Sequence, residues 1–420
     1  MTARRVEVTI APLIALASYV VLHWSGISLD PDSWAAWQAA VSILDGKGYS
    51  YFSGNPIHSW PPLYAVYLAA WIGLLGPSAL TLMISNAVLV VLQAGLWMHF
   101  ARAITYESGR PVANGAMIIL SIYVGLFVAL NEQSVFAHNL VYTILPVFLI
   151  VVWRIVSAPS WRPSLPEMLG LLALATALML THISSLAFLA AAAAVIALAK
   201  RLSIAALLTG AVLVVVPTAL WLAVQVALDQ GGSHHIGFGA GRFGPLFYAA
   251  QLFDGPGSLL VPAKFGAQFI AMGLVWLAAL AVARHPNTSG LRFGIAFVAF
   301  AALTLYAIYN LSWIFSTLSG RLVLFVPLIL VCLTYLAAFP VWPRAATAAL
   351  GVLIIASIYW TASWSARQFT ADLPALGFPD HFVPSAAYIS RDYRAGPPVP
   401  GQRGLLIPPS PFEEPRGLRN

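Results

Sequence analysis

The sequence predicts an all-α polytopic membrane protein, a bundle of about eleven transmembrane helices with an amphipathic first outer loop. Three observations carry this. Hydrophobic residues make up 60% of the 420 residues and charged residues only 8%, against about 25% charged in a soluble domain. Apolar runs reach roughly 20 residues, the length of a spanning helix rather than of an alternating barrel strand. Basic residues collect in alternate connections, which is the signature of a fixed topology.

The first element, "MTARRVEVTIAPLIALASYVVLHW", is a basic start followed by an apolar run over 7–24. It lacks the short core and small-residue cleavage site of a signal peptide. It reads as an uncleaved helix with Arg4 and Arg5 in the cytoplasm. The first outer loop, 25–78, follows with "SLDPDSWAAWQAAVSILDGKGY". Asp30 precedes a proline and is held extended. Asp32 or Ser33 can then cap a helix running to about Leu44, whose Trp34, Trp37, Ala40, Val41 and Leu44 recur on one face suited to a membrane interface.

Next comes "PIHSWPPLY", residues 56–64. Its paired prolines end one segment and open the next at a fixed angle. His58, Trp60 and Tyr64 flank that corner as candidate substrate-side residues. The run over 62–77 gives a helix of about 24 Å, short for a core of about 30 Å, and is expected to lie in or dip into the outer interface. Further spans are expected at 79–101, 112–130, 138–156, 166–181, 183–199, 203–228, 264–283, 292–310, 321–338 and 345–363. With the N-terminus inside, the cytoplasmic turns hold Arg102 and Arg110, Arg154 and Arg162, Lys200 and Arg201, Arg284 and Arg292, and Arg344. The outer loops before the tail hold Lys47, Arg242, Lys264 and Arg321. Residues 1–363 form the expected membrane domain, and 364–420 a proline-rich extracytoplasmic tail, extended or resting on anionic lipid.

Several functions are excluded. The net charge of +7 is scattered between apolar runs and serves topology rather than nucleic acid. The single cysteine, Cys332, permits no disulfide and no thiolate metal site; it is expected to pack in the core. In the glycine-rich outer loop 229–262, "GFGAGRFG" neither follows a strand nor ends in GK[ST], so it is no nucleotide loop. A mobile lid carrying Arg242 is a better use of it.

Four polar residues require an explanation. Asp32 is either a helix cap or a functional carboxylate. "DPD" has no third ligand at metal spacing, so no metal is assigned. Glu132, in "ALNEQSVF", is the sole acid between Glu107 and Glu167, at a membrane boundary where ionisable groups mark function or simply meet water. His182, in "LMLTHISSL", is a packing residue or a ligand. Arg321, in "STLSGRLVLFVPLIL", opens a span on the outer side against the charge trend, placed either to snorkel or to grip a phosphate.

Taken in order, the outer-loop Asp, the amphipathic helix, "ILDGKGY", "PIHSWPPLY", the "NE" turn, "LTH" and "SGRLVLFVPLIL" resemble the GT-C superfamily of membrane glycosyltransferases. The nearest likeness is to its bacterial protein-mannosyltransferase and aminoarabinose-transferase branch, over roughly residues 1–340. The resemblance implies a GT-C-like helical bundle in the bacterial plasma membrane and a sugar donor on polyprenyl phosphate. It also implies an acceptor lipid, polysaccharide or protein on the outer face, and no nucleotide at the site. It makes Asp32 the general base and gives Glu132 a catalytic place. Arg321 corresponds to the family's late outer arginine and is the expected phosphate-binding cation; Arg242, His58, Trp60 and Tyr64 are further candidates on the substrate side. His182 stands where the family carries an arginine.

The alternative is a transporter or flippase for a lipid-linked or anionic substrate. Such a protein is expected to show paired broken helices in two related halves, and no duplicated half is visible. A non-catalytic assembly subunit, the third class, would need neither Asp32 nor Glu132.

Overall fold

The computed structural model describes residues 3–24, 26–29, 31–51, 56–57, 61–107, 114–131, 137–159, 164–200, parts of 212–227, 265–311, 325–370 and 387–390. Helices dominate. They run α1 (Ala3–Leu22), α2 (Pro31–Leu44), α3 (Leu63–Leu75), α4 (Ala79–Glu107), α5 (Asn114–Asn131), α6 (Ala137–Ser157), α7 (Leu165–Thr181) and α8 (Leu186–Lys200). Beyond the glycine-rich loop follow α9 (Phe265–Val282), α10 (Ser289–Leu311), α11 (Phe325–Ala338) and α12 (Pro343–Thr370). Among the described residues, five helices are long and apolar enough to cross a membrane, and shorter apolar helices accompany them. The protein is a multi-pass membrane protein. The 203–228 span falls mostly outside the described residues.

The helix ends follow local chemistry. Ser164 and Glu167 form a capping box at the start of α7, with Pro166 in its first turn, satisfying amide groups that the helix itself leaves without partners. The expected break near "THISS" is real. α7 stops at Thr181, and a 3-10 turn, Ile183–Ser185, leads into α8.

α1 lies across α4 and α5. At Gly125 a Cβ would stand 2.7 Å from the Ala11 carbonyl oxygen, so the two backbones approach as only a small residue allows. The core between helices is aromatic. Trp97, Tyr123, Phe127, Phe297 and Phe325 are fully buried, and the Trp97 indole donates to the Tyr142 carbonyl at 3.2 Å. Cys332 is fully buried, as expected.

The outer loop is folded rather than draped. Gly46 and Gly48, at φ 72° and 77°, make the left-handed turn that ends α2, a conformation costly for any residue with a Cβ. The Ile57 amide then donates to the Tyr49 carbonyl at 3.2 Å, and the Tyr49 hydroxyl reaches the Pro61 carbonyl at 3.4 Å. Ile57, Ala39 and Ala65 form a small buried cluster, which packs Ile57 between α2 and α3. α3 has 13 residues, about 20 Å of helix. It packs mainly on α2, and it meets α4 near its start, where the Tyr67 hydroxyl donates to the Ser85 carbonyl at 2.6 Å.

Two expectations need correcting. α2 is not a surface helix with one wet face: Ser33, Gln38 and Ser42 are buried along with Trp37 and Ala40, so protein covers most of its circumference. Asp32 is not the cap, because α2 already begins at Pro31, the favoured first position for proline. The all-helical class holds, with one short ribbon added to it. Strand β1 (Gly26–Leu29) pairs antiparallel with β2 (Ala387–Ser390), Gly26 opposite Ser390 and Leu29 opposite Ala387. This ribbon anchors part of the tail beside the start of the outer loop.

Candidate functional site

A buried seam of polar side chains crosses the bundle where the C-terminal ends of α1 and α7 meet the N-terminal parts of α4 and α6. The Asn86 amide nitrogen on α4 donates to the Tyr19 hydroxyl on α1 at 3.3 Å. The Asn139 amide nitrogen on α6 donates to the Asn86 carbonyl oxygen at 2.6 Å. One residue earlier on α6, His138 lies against His182, with ring centroids 4.2 Å apart. His23 continues the seam against Tyr19 at 4.4 Å. All these residues are buried.

His182 holds the corner between α7 and α8. Its amide closes α7 on the Leu178 carbonyl at 3.0 Å. Its Nδ1 accepts from the Ser184 amide at 3.1 Å and lies 2.6 Å from the Ser184 hydroxyl. An Nδ1 that accepts leaves the proton on Nε2. Burial lowers the pKa of His182 to about 4, because removing the ring from water penalises its charged form. His182 is therefore a neutral group at this corner.

The other candidates are placed as follows. Asp32 lies in the first turn of α2, a few residues after the β1–β2 ribbon. Tyr64 lies in the first turn of α3, buried and stacked with Tyr67 at 6.1 Å. Glu132 is outside the described residues, directly after Asn131, whose amide is fixed on the Phe127 carbonyl at 2.7 Å. His58, Trp60, Arg242 and Arg321 also lie outside the described residues. The structure thus brings His182 into the seam and anchors the chain on either side of Glu132 and Asp32. Of the predicted set, only Asp32, Tyr64 and His182 fall among the described residues.

Sequence reasoning missed Tyr19, Asn86, His138 and Asn139. Asn86 and Asn139 were visible as polar residues inside apolar runs, where such groups pair or serve function. The seam offers neutral hydrogen-bond donors and acceptors but, among the described residues, no carboxylate and no formal cation. No described group of three His, Cys, Asp or Glu is placed to hold a metal.

The architecture is that of a GT-C-like membrane fold. Two solved structures of ArnT from Cupriavidus metallidurans share it. One, bound to undecaprenyl phosphate, superposes with a TM-score of 0.55 at 13% identity over 84% of this chain and 75% of that one. The other, in the apo state, gives 0.51 at 12% identity over 84% and 74%. No family model and no curated protein sequence matches the chain.

Proposed function

We propose that this protein is a glycosyltransferase that moves a sugar from a polyprenyl-phosphate-linked donor to an acceptor hydroxyl or amine on the outer face of the membrane. The observation that carries this reading is the shared fold with a protein solved holding undecaprenyl phosphate. The order of candidate residues along the chain supports it.

In this reading the Asp32 carboxylate takes the proton of the attacking acceptor. The acceptor atom bonds to the anomeric carbon, and the bond from that carbon to the phosphate oxygen breaks. Arg321, helped by Arg242 or Lys264, stabilises the departing lipid phosphate. One displacement inverts the anomeric centre. Glu132 orients sugar or acceptor hydroxyls, while His58, Trp60 and Tyr64 shape the donor wall. The neutral seam from Tyr19 to His182 holds the helix ends in place beneath.

The reading is tested by mass spectrometry of lipid extracts from a strain lacking the gene. Accumulation of a polyprenyl-phosphate sugar, reversed by the intact chain, is the expected result. An unchanged lipid profile, with loss of an exported solute instead, would favour a transporter.

A further inference from the structure

At the basic end of the bundle, opposite the seam, a cleft of about 500 Å³ opens between α6, α8 and α10. Its lining is mostly apolar, with Val156, Val195, Leu198 and Ala296, and also carries Ser157, Ser289 and Arg292. Two further cations are close to it in sequence. Arg154 is adjacent in sequence to the lining Trp153, and Lys200 to the lining Ala199. No carboxylate lines it, and among the described residues neither Arg292 nor Lys200 forms an ion pair. Both cations are held in place: Arg292 donates to the Ala283 and His285 carbonyls at 3.0 and 3.3 Å, and Lys200 to the Ala158 carbonyl.

Trp153 supplies the second observation. It lines this cleft, is 3% exposed and packs on Phe293 at 5.2 Å. Among the described residues its indole N–H finds no acceptor. A buried donor without a partner is costly, and its side chain forms part of the cleft wall.

We infer that this cleft is a binding site for an anionic phospholipid of the leaflet facing the basic end. The phosphate sits against Arg292, with the Ser157 and Ser289 hydroxyls beside it. A glycerol ester carbonyl accepts from the Trp153 indole, and an acyl chain follows the Val195–Leu198 face of α8. Basic residues near a helix end can act as topology signals alone, but that role requires neither the cleft nor the unfilled indole. The site rests on the fold and on the basic-end orientation, and is independent of sugar transfer.

Native mass spectrometry of the full-length protein, titrated with phosphatidylglycerol, phosphatidylcholine or polyprenyl phosphate, tests it. Wild type is expected to retain phosphatidylglycerol about tenfold better than phosphatidylcholine, the scale of one charge-assisted hydrogen bond. Arg292→Gln should remove that preference. Ser289→Asp is the sharper variant, since an acid in the first turn of α10 favours the helix while repelling an anionic lipid. It should keep the fold and lose phosphatidylglycerol. Trp153→Phe should weaken both phospholipids by about threefold, one neutral hydrogen bond. Equal retention of the two phospholipids, undiminished phosphatidylglycerol binding in Ser289→Asp, or a preference for polyprenyl phosphate would each overturn the assignment.

Discussion

Replacing Asn86 by alanine tests whether the seam ties the helix ends together. Asn86 is fully buried and joins α1 to α6 through two hydrogen bonds, at 3.3 and 2.6 Å. The alanine leaves the Tyr19 hydroxyl and the Asn139 amide each short of this partner. A buried polar group deprived of its partner costs about 1–3 kcal/mol, but inter-helix hydrogen bonds in membranes average only about 0.6 kcal/mol. The short Asn139 contact should lie near the top of the membrane range and the longer Tyr19 contact near its mean. With the small cavity left behind, the expected loss is about 2–3 kcal/mol. Denaturant unfolding of the purified protein in micelles reads it directly. A double-mutant cycle with Asn139→Ala should give a coupling of about 1 kcal/mol. A loss below about 0.5 kcal/mol, the size of an ordinary surface change, would refute the view that the seam holds the bundle end together.

Gly125→Ala should destabilise by about 1–3 kcal/mol, the cost of overpacking, because the new Cβ meets backbone oxygen. Gly294→Ala should cost less, since its nearest contacts are side-chain atoms of Leu333 and Ile329; thermal unfolding of both variants checks the order. His182 gives a pH signature. Its folded pKa of about 4 lies below the ordinary 6.5, so the unfolded chain takes up the proton first. Its contribution to stability is complete above pH 6.5 and is lost as pH falls towards 4. His182→Gln should flatten the stability profile across that window, and a parallel profile would show that His182 is not buried neutral.

Much of the helical frame was legible because it rests on local rules. Apolar run lengths placed α4 to α6, and the Thr181–His182 break showed as a polar interruption between two short runs. The helix over Pro31–Leu44 showed as a period. Its surroundings did not: the same period fits an interface helix and one enclosed by protein, and only the burial of Gln38 and Ser42 separates them. Pairing between distant segments was out of reach. Gly26 opposite Ser390 leaves no mark in either segment, and the Tyr19–Asn86 and Asn86–Asn139 contacts join residues 67 and 53 positions apart. His182 was legible as a polar residue at a turn, but its neutral state depends on burial that only the packed helices create.

The carboxylate in the first turn of α2 is the centre of the functional account. Asp32→Asn keeps the size of the side chain but removes the proposed base. In membranes supplied with the polyprenyl-phosphate sugar that accumulates in the deletion strain, transfer should fall by about 10²–10⁴-fold, the usual contribution of a general base, while donor binding stays intact. Transfer at the wild-type rate would contradict the account.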